Sequence, residues 1–213
     1  MYNRVNSPQE RKKLLMGIEY ELKFRATPQA QAAIAQALEG EQAHYRMETT
    51  YYDTPSESLS SRYFTLRRRM ENDRSVCTLK APLDEHSRGE WETECDRVED
   101  AIDMLCQLGA PKILSHLVQE GVIPICGAKF QRIAKTVVLE DCTVEVALDT
   151  GVLMGGGKEL PLCEVEVELK SGTREAVQAY ALALAALYGL RPERRSKFRR
   201  ALALYKGEES ENV

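Results

Sequence analysis

The sequence predicts an antiparallel α+β fold with about eight strands. Apolar and charged residues alternate at period two in run after run, and Ala-, Leu- and Gln-rich segments with helical spacing stand between those runs. Turn residues punctuate the runs, Asn72-Asp73 and Gly155-Gly156-Gly157 most clearly.

Residues 1–15 are polar and read as a flexible lead-in. Met16 to Arg25 alternates as a first strand. Pro28 to Glu39 is a helix, with Thr27 as its N-cap and Gly40 as its stop. Strand-like runs follow at 43–53, 63–70, 74–81 and 88–95, the middle pair joined by a turn at Asn72-Asp73. Residues 98–108 and 111–120 read as two short helices. Strands resume at 128–140, 142–149 and 161–170, with the three glycines in the hairpin between the last two. Thr173 to Leu190 is a long Ala/Leu helix, and a short basic helix starts at Ser196. Residues 207–213 form an acidic tail.

The chain has 213 residues and a formal net charge of −4, which argues against a duplex-DNA binder and leaves nucleic acid out of the expected partners. No run approaches the roughly 20 apolar residues of a membrane-spanning helix, so no membrane association is expected. The Arg11-Lys12-Lys13 cluster leads into an apolar stretch that Glu19 soon interrupts, unlike a secretory leader. Six scattered cysteines without a C-x-x-C pair read as unpaired thiols, and the expected location is cytoplasmic. His44, His86 and His116 form no cluster.

The charges are arranged by face. One face of 17–24 carries Glu19, Glu21 and Lys23; the other carries Ile18, Tyr20, Leu22 and Phe24. One face of 163–170 carries Glu164, Glu166, Glu168 and Lys170 against Val165, Val167 and Leu169. Glu145 and Asp149 share a face, as do Arg88, Glu90, Glu92 and Glu94. Arg67 and Arg69 share one with Thr65, and Thr78 shares one with Lys80; Arg68 points to the opposite side. A one-sided antiparallel sheet has a wet, charged face without further cause. Three glutamates on one face of one strand are nonetheless unfavourable, because glutamate is a poor strand former and like charges repel. A hard divalent cation would relieve them. Arginine and lysine rows suit phosphate oxygens. Together they suggest phosphoryl-transfer chemistry inside a barrel whose charged faces point inward and whose helices pack outside.

In order along the chain, these residues resemble the CYTH superfamily, the triphosphate tunnel metalloenzymes. Glu19-Tyr-Glu-Leu-Lys23 resembles the family's E-x-E-x-K, Tyr51-Tyr-Asp-Thr-Pro55 its Y-Y-D-T-P, and Leu66 to Arg69 its L-R-x-R. Thr78-Leu-Lys80, Arg88-Gly-Glu-Trp-Glu92, Val144 to Gly151, Glu164 to Lys170 and Ser196-Lys197 follow in register. The resemblance implies a single tunnel domain over residues 16–206, built on an eight-stranded antiparallel barrel, and a need for Mg2+ or Mn2+. It implies Glu19, Glu21, Asp149, Glu164, Glu166 and Glu168 as the metal set. It implies Lys23, Arg67, Arg69, Lys80 and Lys197 as the triphosphate grip, with Arg132 as the basic residue of a later strand and Lys135 as its fallback on the opposite face. Glu19, Glu21, Lys23, Arg67, Arg69 and Lys80 are the catalytic candidates.

The expected activity is metal-dependent hydrolysis of a small triphosphate, inorganic triphosphate first, with thiamine triphosphate or ATP as other substrates. Two alternatives stand beside it: a class IV adenylyl cyclase making cyclic AMP from ATP, and a non-catalytic polyphosphate- or nucleotide-binding module. The reading leaves room for a homodimer.

Overall fold

Strands form where the sequence alternates. The computed structural model describes residues 20–38, 41–83 and 88–208. The strands are β1 (Glu21–Arg25), β2 (Ala43–Asp53), β3 (Thr65–Glu71), β4 (Arg74–Pro82), β5 (Arg88–Glu94), β6 (Ile123–Val138), β7 (Cys142–Gly155), β8 (Lys158–Gly172) and β9 (Arg191–Pro192). The helices are α1 (Pro28–Ala37), α2 (Val98–Gln107), α3 (Ile113–Leu117), α4 (Arg174–Tyr188) and α5 (Lys197–Lys206). Eight strands correspond to the eight predicted runs; the ninth is a two-residue strand that no alternation could reveal. The strand order is β5-β4-β3-β2-β6-β7-β8-β1-β9.

The described residues divide into two compact units, Thr49–Ile125 and Tyr20–Glu48 with Cys126 onward. In the first unit β3 pairs with β4 and β4 with β5, all antiparallel. Leu66, Cys77, Leu79 and Trp91 share the face that packs on Val98, Ala101 and Leu105 of α2 and Leu114 and Leu117 of α3. Burial of Leu66, Leu79 or Trp91 contributes about 1.5–3 kcal/mol each. Gly89 makes room for the indole, since a Cβ there would lie 2.5 Å from the Trp91 ring. Asp53 ends β2 and is 1% exposed. Its carboxylate accepts from the backbone N–H groups of Thr54 (2.8 Å), Leu59 (2.9 Å) and Ser60 (3.1 Å), which fixes the following loop.

In the second unit β7 and β8 form a long ladder from Cys142↔Gly172 to Gly155↔Lys158. Gly156 and Gly157 close it at φ 57° and 73°, the left-handed pair that a two-residue type I′ hairpin requires. This is the hairpin turn expected of the glycine run. Val144, Val146, Leu148, Val165, Val167 and Phe24 line the apolar face. Ile34 of α1 and Val177, Ala181 and Ala185 of α4 cover it. Helix α5 lies directly on β7: a Cβ on Gly155 would fall 2.4 Å from the Ala201 carbonyl oxygen and 2.7 Å from the Tyr205 nitrogen. Thr27, Thr173 and Ser196 cap α1, α4 and α5 by accepting from the N–H of Ala30, Ala176 and Arg199.

None of the six cysteines, all among the described residues, forms a disulfide. Among the described residues no helix is long and apolar enough to cross a membrane.

Candidate functional site

Register decides which charges meet. On the polar face of the second unit Asp149 of β7 stands opposite Glu164 of β8 and Arg132 of β6. Glu166 lies two residues further along β8, opposite Lys23 of β1. Asp149, Glu164 and Glu166 bring one carboxylate oxygen each to within 4.8 Å of one another. Asp149 and Glu164 are fully buried. Such a group is unstable unless cations neutralise it.

Three cations do so. Lys197, at the first turn of α5, places its ammonium 2.8 Å from Asp149 Oδ2 and 2.7 Å from Glu166 Oε1, and also bonds Glu164. Arg132 donates Nε and Nη2 to the two Asp149 oxygens, each at 2.7 Å, and Nη2 to Glu166 at 2.5 Å. Arg200 donates to Glu164. Three carboxylates thus meet three cations. The Phe130 ring lies under two of them, 5.3 Å from the Lys197 nitrogen and 5.8 Å from the Arg132 guanidinium carbon. Gln31 of α1 pins the backbone beneath, donating to the carbonyls of Asp149 (3.0 Å) and Glu164 (2.8 Å).

Burial works against every charge here, and the partners decide the outcome. Burial lifts the Glu164 carboxyl above its ordinary value despite Lys197 and Arg200. Burial also opposes ionisation of Glu166, but the Lys197 ammonium and the Arg132 guanidinium hold it well below the usual carboxylate range. Lys197 is raised above an ordinary lysine because its carboxylates outweigh its burial.

Hard oxygen donors at this separation fit a divalent cation such as Mg2+ or Mn2+. The Lys197 ammonium stands among the same oxygens, so a metal ion held by all three would take over contacts that Lys197 now makes. Glu21 and Glu168 face each other across β1 and β8, with Glu145 opposite Glu168 on β7. Lys23 bonds Glu21 at 2.7 Å and Lys170 bonds Glu168 at 2.8 Å. Glu19 lies outside the described residues.

The first unit holds a separate charged row. Thr65, Lys80 and Glu90 are in register across β3, β4 and β5, as are Arg67, Thr78 and Glu92. Glu90 accepts from Lys80 at 3.3 Å and approaches Arg67 at 3.5 Å. Thr78 donates to Glu92 at 2.8 Å. Arg69 is buried and donates to Thr49 at 3.0 Å. Arg68 lies on the other side and bonds Ser75. Lys135, the fallback for Arg132, bonds the Glu41 carbonyl instead.

The predicted set therefore falls into two groups: Arg67, Arg69 and Lys80 in the first unit, and Lys23, Arg132, Asp149, Glu164, Glu166 and Lys197 in the second, with the Glu21–Glu168 pair next along the same face. Sequence reasoning missed Arg200, although its position three residues after Lys197 puts both on one helix face. It also missed Gln31, which no motif marks.

Structures of known proteins share this fold. One is a candidate adenylyl cyclase from Hippeastrum, described as having a dominant triphosphatase activity; it superposes with a TM-score of 0.63 at 19% identity, over 91% of this chain and 98% of that one. Another is a candidate adenylate cyclase from Bacillus halodurans, with a TM-score of 0.56 at 15% identity over 87% and 97%. An inorganic triphosphatase of Haemophilus influenzae is 31% identical over 162 residues, which are 72% of this chain and 46% of the relative. The chain thus spans about half the length of that curated relative. The CYTH domain model matches residues 17–202, which contain every charged strand described above. The chain belongs to the CYTH domain family.

Proposed function

We propose that this chain is a divalent-cation-dependent triphosphatase acting on inorganic triphosphate. The observation that carries the reading is the buried cluster of Asp149, Glu164 and Glu166, three converging carboxylates with oxygens within 4.8 Å. Phosphate binding alone needs cations, not a buried carboxylate triad. The likeness to the Haemophilus influenzae triphosphatase supports the same reading.

Asp149, Glu164 and Glu166 would hold the metal ion, with Glu21 and Glu168 next along the face and Glu19 adding a carboxylate from the E-x-E-x-K motif. Mg2+ or Mn2+, when bound, supplies a Lewis acid that draws charge from phosphate oxygens. Lys23 offers an ammonium beside the carboxylates. Lys197 gives one of its three N–H donors to substrate at the expense of a carboxylate contact. In the first unit Arg67, Arg69 and Lys80 donate to phosphate oxygens, and Glu90 fixes the Arg67 and Lys80 head groups. Water oriented by a β8 carboxylate attacks the terminal phosphorus in line. The bond from that phosphorus to the bridging oxygen breaks, and phosphate and diphosphate leave.

Product analysis tests the reading. Inorganic triphosphate should yield phosphate in the presence of metal, and Glu21→Ala or Arg67→Ala should lower turnover on the order of 10²-fold. Cyclic AMP and diphosphate formed from ATP, without phosphate release from triphosphate, would assign the chain to the cyclases instead.

A further inference from the structure

Beside the buried carboxylates, with Arg25 opposite Glu164 in the β1–β8 register, the second unit contains a cavity of about 680 Å³ between the start of α1 and the segment 189–195. Arg25, Arg191, Arg194 and Arg195 line it, with Glu193 as the one carboxylate among its lining residues. Four guanidinium groups against one carboxylate give the lining a formal charge of +3, in a chain whose net charge is −4.

The short β9 pairs with β1 so that Arg191 stands directly opposite Arg25, an arrangement that like charges oppose. Glu193 relieves only part of it. It accepts from Arg25 Nε at 2.7 Å and from the Arg195 backbone N–H at 2.9 Å, and it lies 3.6 Å from Arg195 Nε and 4.0 Å from Arg200. Its oxygens are therefore taken. Arg191 and Arg194, both exposed, make no ion pair among the described residues. Thr27 at the edge of the cavity caps α1, whose first turn has no acidic residue, so the positive end of that helix dipole adds to the field.

We propose that this cavity is a second anion-binding site, next to the carboxylate cluster and joined to it through Glu193 and Arg200, that takes an inorganic condensed phosphate of two or more phosphoryl groups. Guanidinium forks match phosphate oxygens in pairs, and several arginines need an extended polyanion to engage them together. The volume suits a small ligand. No aromatic side chain lines the cavity, so it offers no platform for a nucleobase. The site acts by binding alone and does not depend on the hydrolytic reading.

Arg191 and Arg194 are the residues to change, because both are exposed and neither is tied to the fold by an ion pair. Titration calorimetry with inorganic diphosphate and triphosphate in excess EDTA compares the intact chain, Arg191→Ala/Arg194→Ala and Arg67→Ala/Lys80→Ala. The intact chain should bind, and Arg191→Ala/Arg194→Ala should weaken one binding event by roughly tenfold or more. Arg67→Ala/Lys80→Ala should retain that event, and metal-dependent turnover should stay within about twofold in Arg191→Ala/Arg194→Ala. Unchanged affinity and stoichiometry in Arg191→Ala/Arg194→Ala would overturn the site. ATP binding there as tightly as triphosphate, with base-dependent affinity, would overturn the inorganic assignment. Absence of phosphate release would sink the hydrolytic reading while leaving these titrations intact.

Discussion

Lys197 carries three carboxylates on one ammonium group and is 6% exposed. Removing one partner of a buried ionic group costs about 3–5 kcal/mol, because the remaining charges keep their desolvation penalty. Lys197→Met should therefore lower stability by about that amount in urea denaturation, and added Mg2+ should recover part of the loss in the variant. A variant as stable as the parent would contradict the network. Glu193 makes a different prediction. Burial opposes its ionisation, but the Arg195 N–H and the Arg25 and Arg200 guanidinium groups hold its carboxyl below the ordinary 4.5. The stability it contributes is complete above that pH and is lost as pH falls through the lowered value. Glu193→Gln should accordingly be less stable near neutrality, and its acid unfolding should lose less stability below 4.5, read by circular dichroism against pH. Cys77 is pushed up to about 12, chiefly by burial, so alkylation at neutral pH should spare it in the folded chain.

Elements were legible wherever one periodicity ran without interruption. Alternation marked β2, β3, β4 and β5 within a residue or two, the Thr27 cap marked α1, and the starts read at Thr173 and Ser196 are the caps of α4 and α5. Longer strands were cut short by residues that usually break them. β6 begins at Ile123, ahead of the predicted 128, because Pro124 and Gly127 read as loop. β7 runs to Gly155, beyond the predicted 149, through Gly151; a Cβ on Gly151 would lie 2.1 Å from the Lys129 carbonyl, so close strand approach, not a turn, explains that glycine. Pro161 continues its ladder opposite Val152. Gly155 holds the same logic for the docking of α5. Gly155→Ala forces a methyl group against the backbone of Ala201 and Tyr205, which cannot yield as a side chain tip would. The expected loss is about 1–3 kcal/mol, read as a lower Tm, with Gly157→Ala as a comparison site that has open space but a left-handed φ of 73°.

At the scale of the whole chain, the charged faces and the family could be read from sequence because both depend on local order along strands. The partners of the buried carboxylates could not. Arg132, Glu164 and Lys197 are far apart in sequence, and which cation meets which carboxylate depends on strand register and on how α5 seats against β7. The family resemblance implied Lys197 as a phosphate ligand; the structure places its ammonium among the carboxylates that would hold a metal ion. The strand count differs only by β9, which is defined by its pairing with β1 and by nothing in its composition. In the buried network three cations balance three carboxylates, so the chain's formal net charge of −4 comes from residues outside it.

The most direct test of a metal-dependent triphosphatase is phosphate release from inorganic triphosphate by the full chain, first with excess EDTA and then with Mg2+ or Mn2+ restored. The proposed chemistry predicts release that stops in EDTA, returns with either ion, and is lost in Glu166→Gln. Release at an equal rate in EDTA, or no release with either ion from a folded chain, would contradict it.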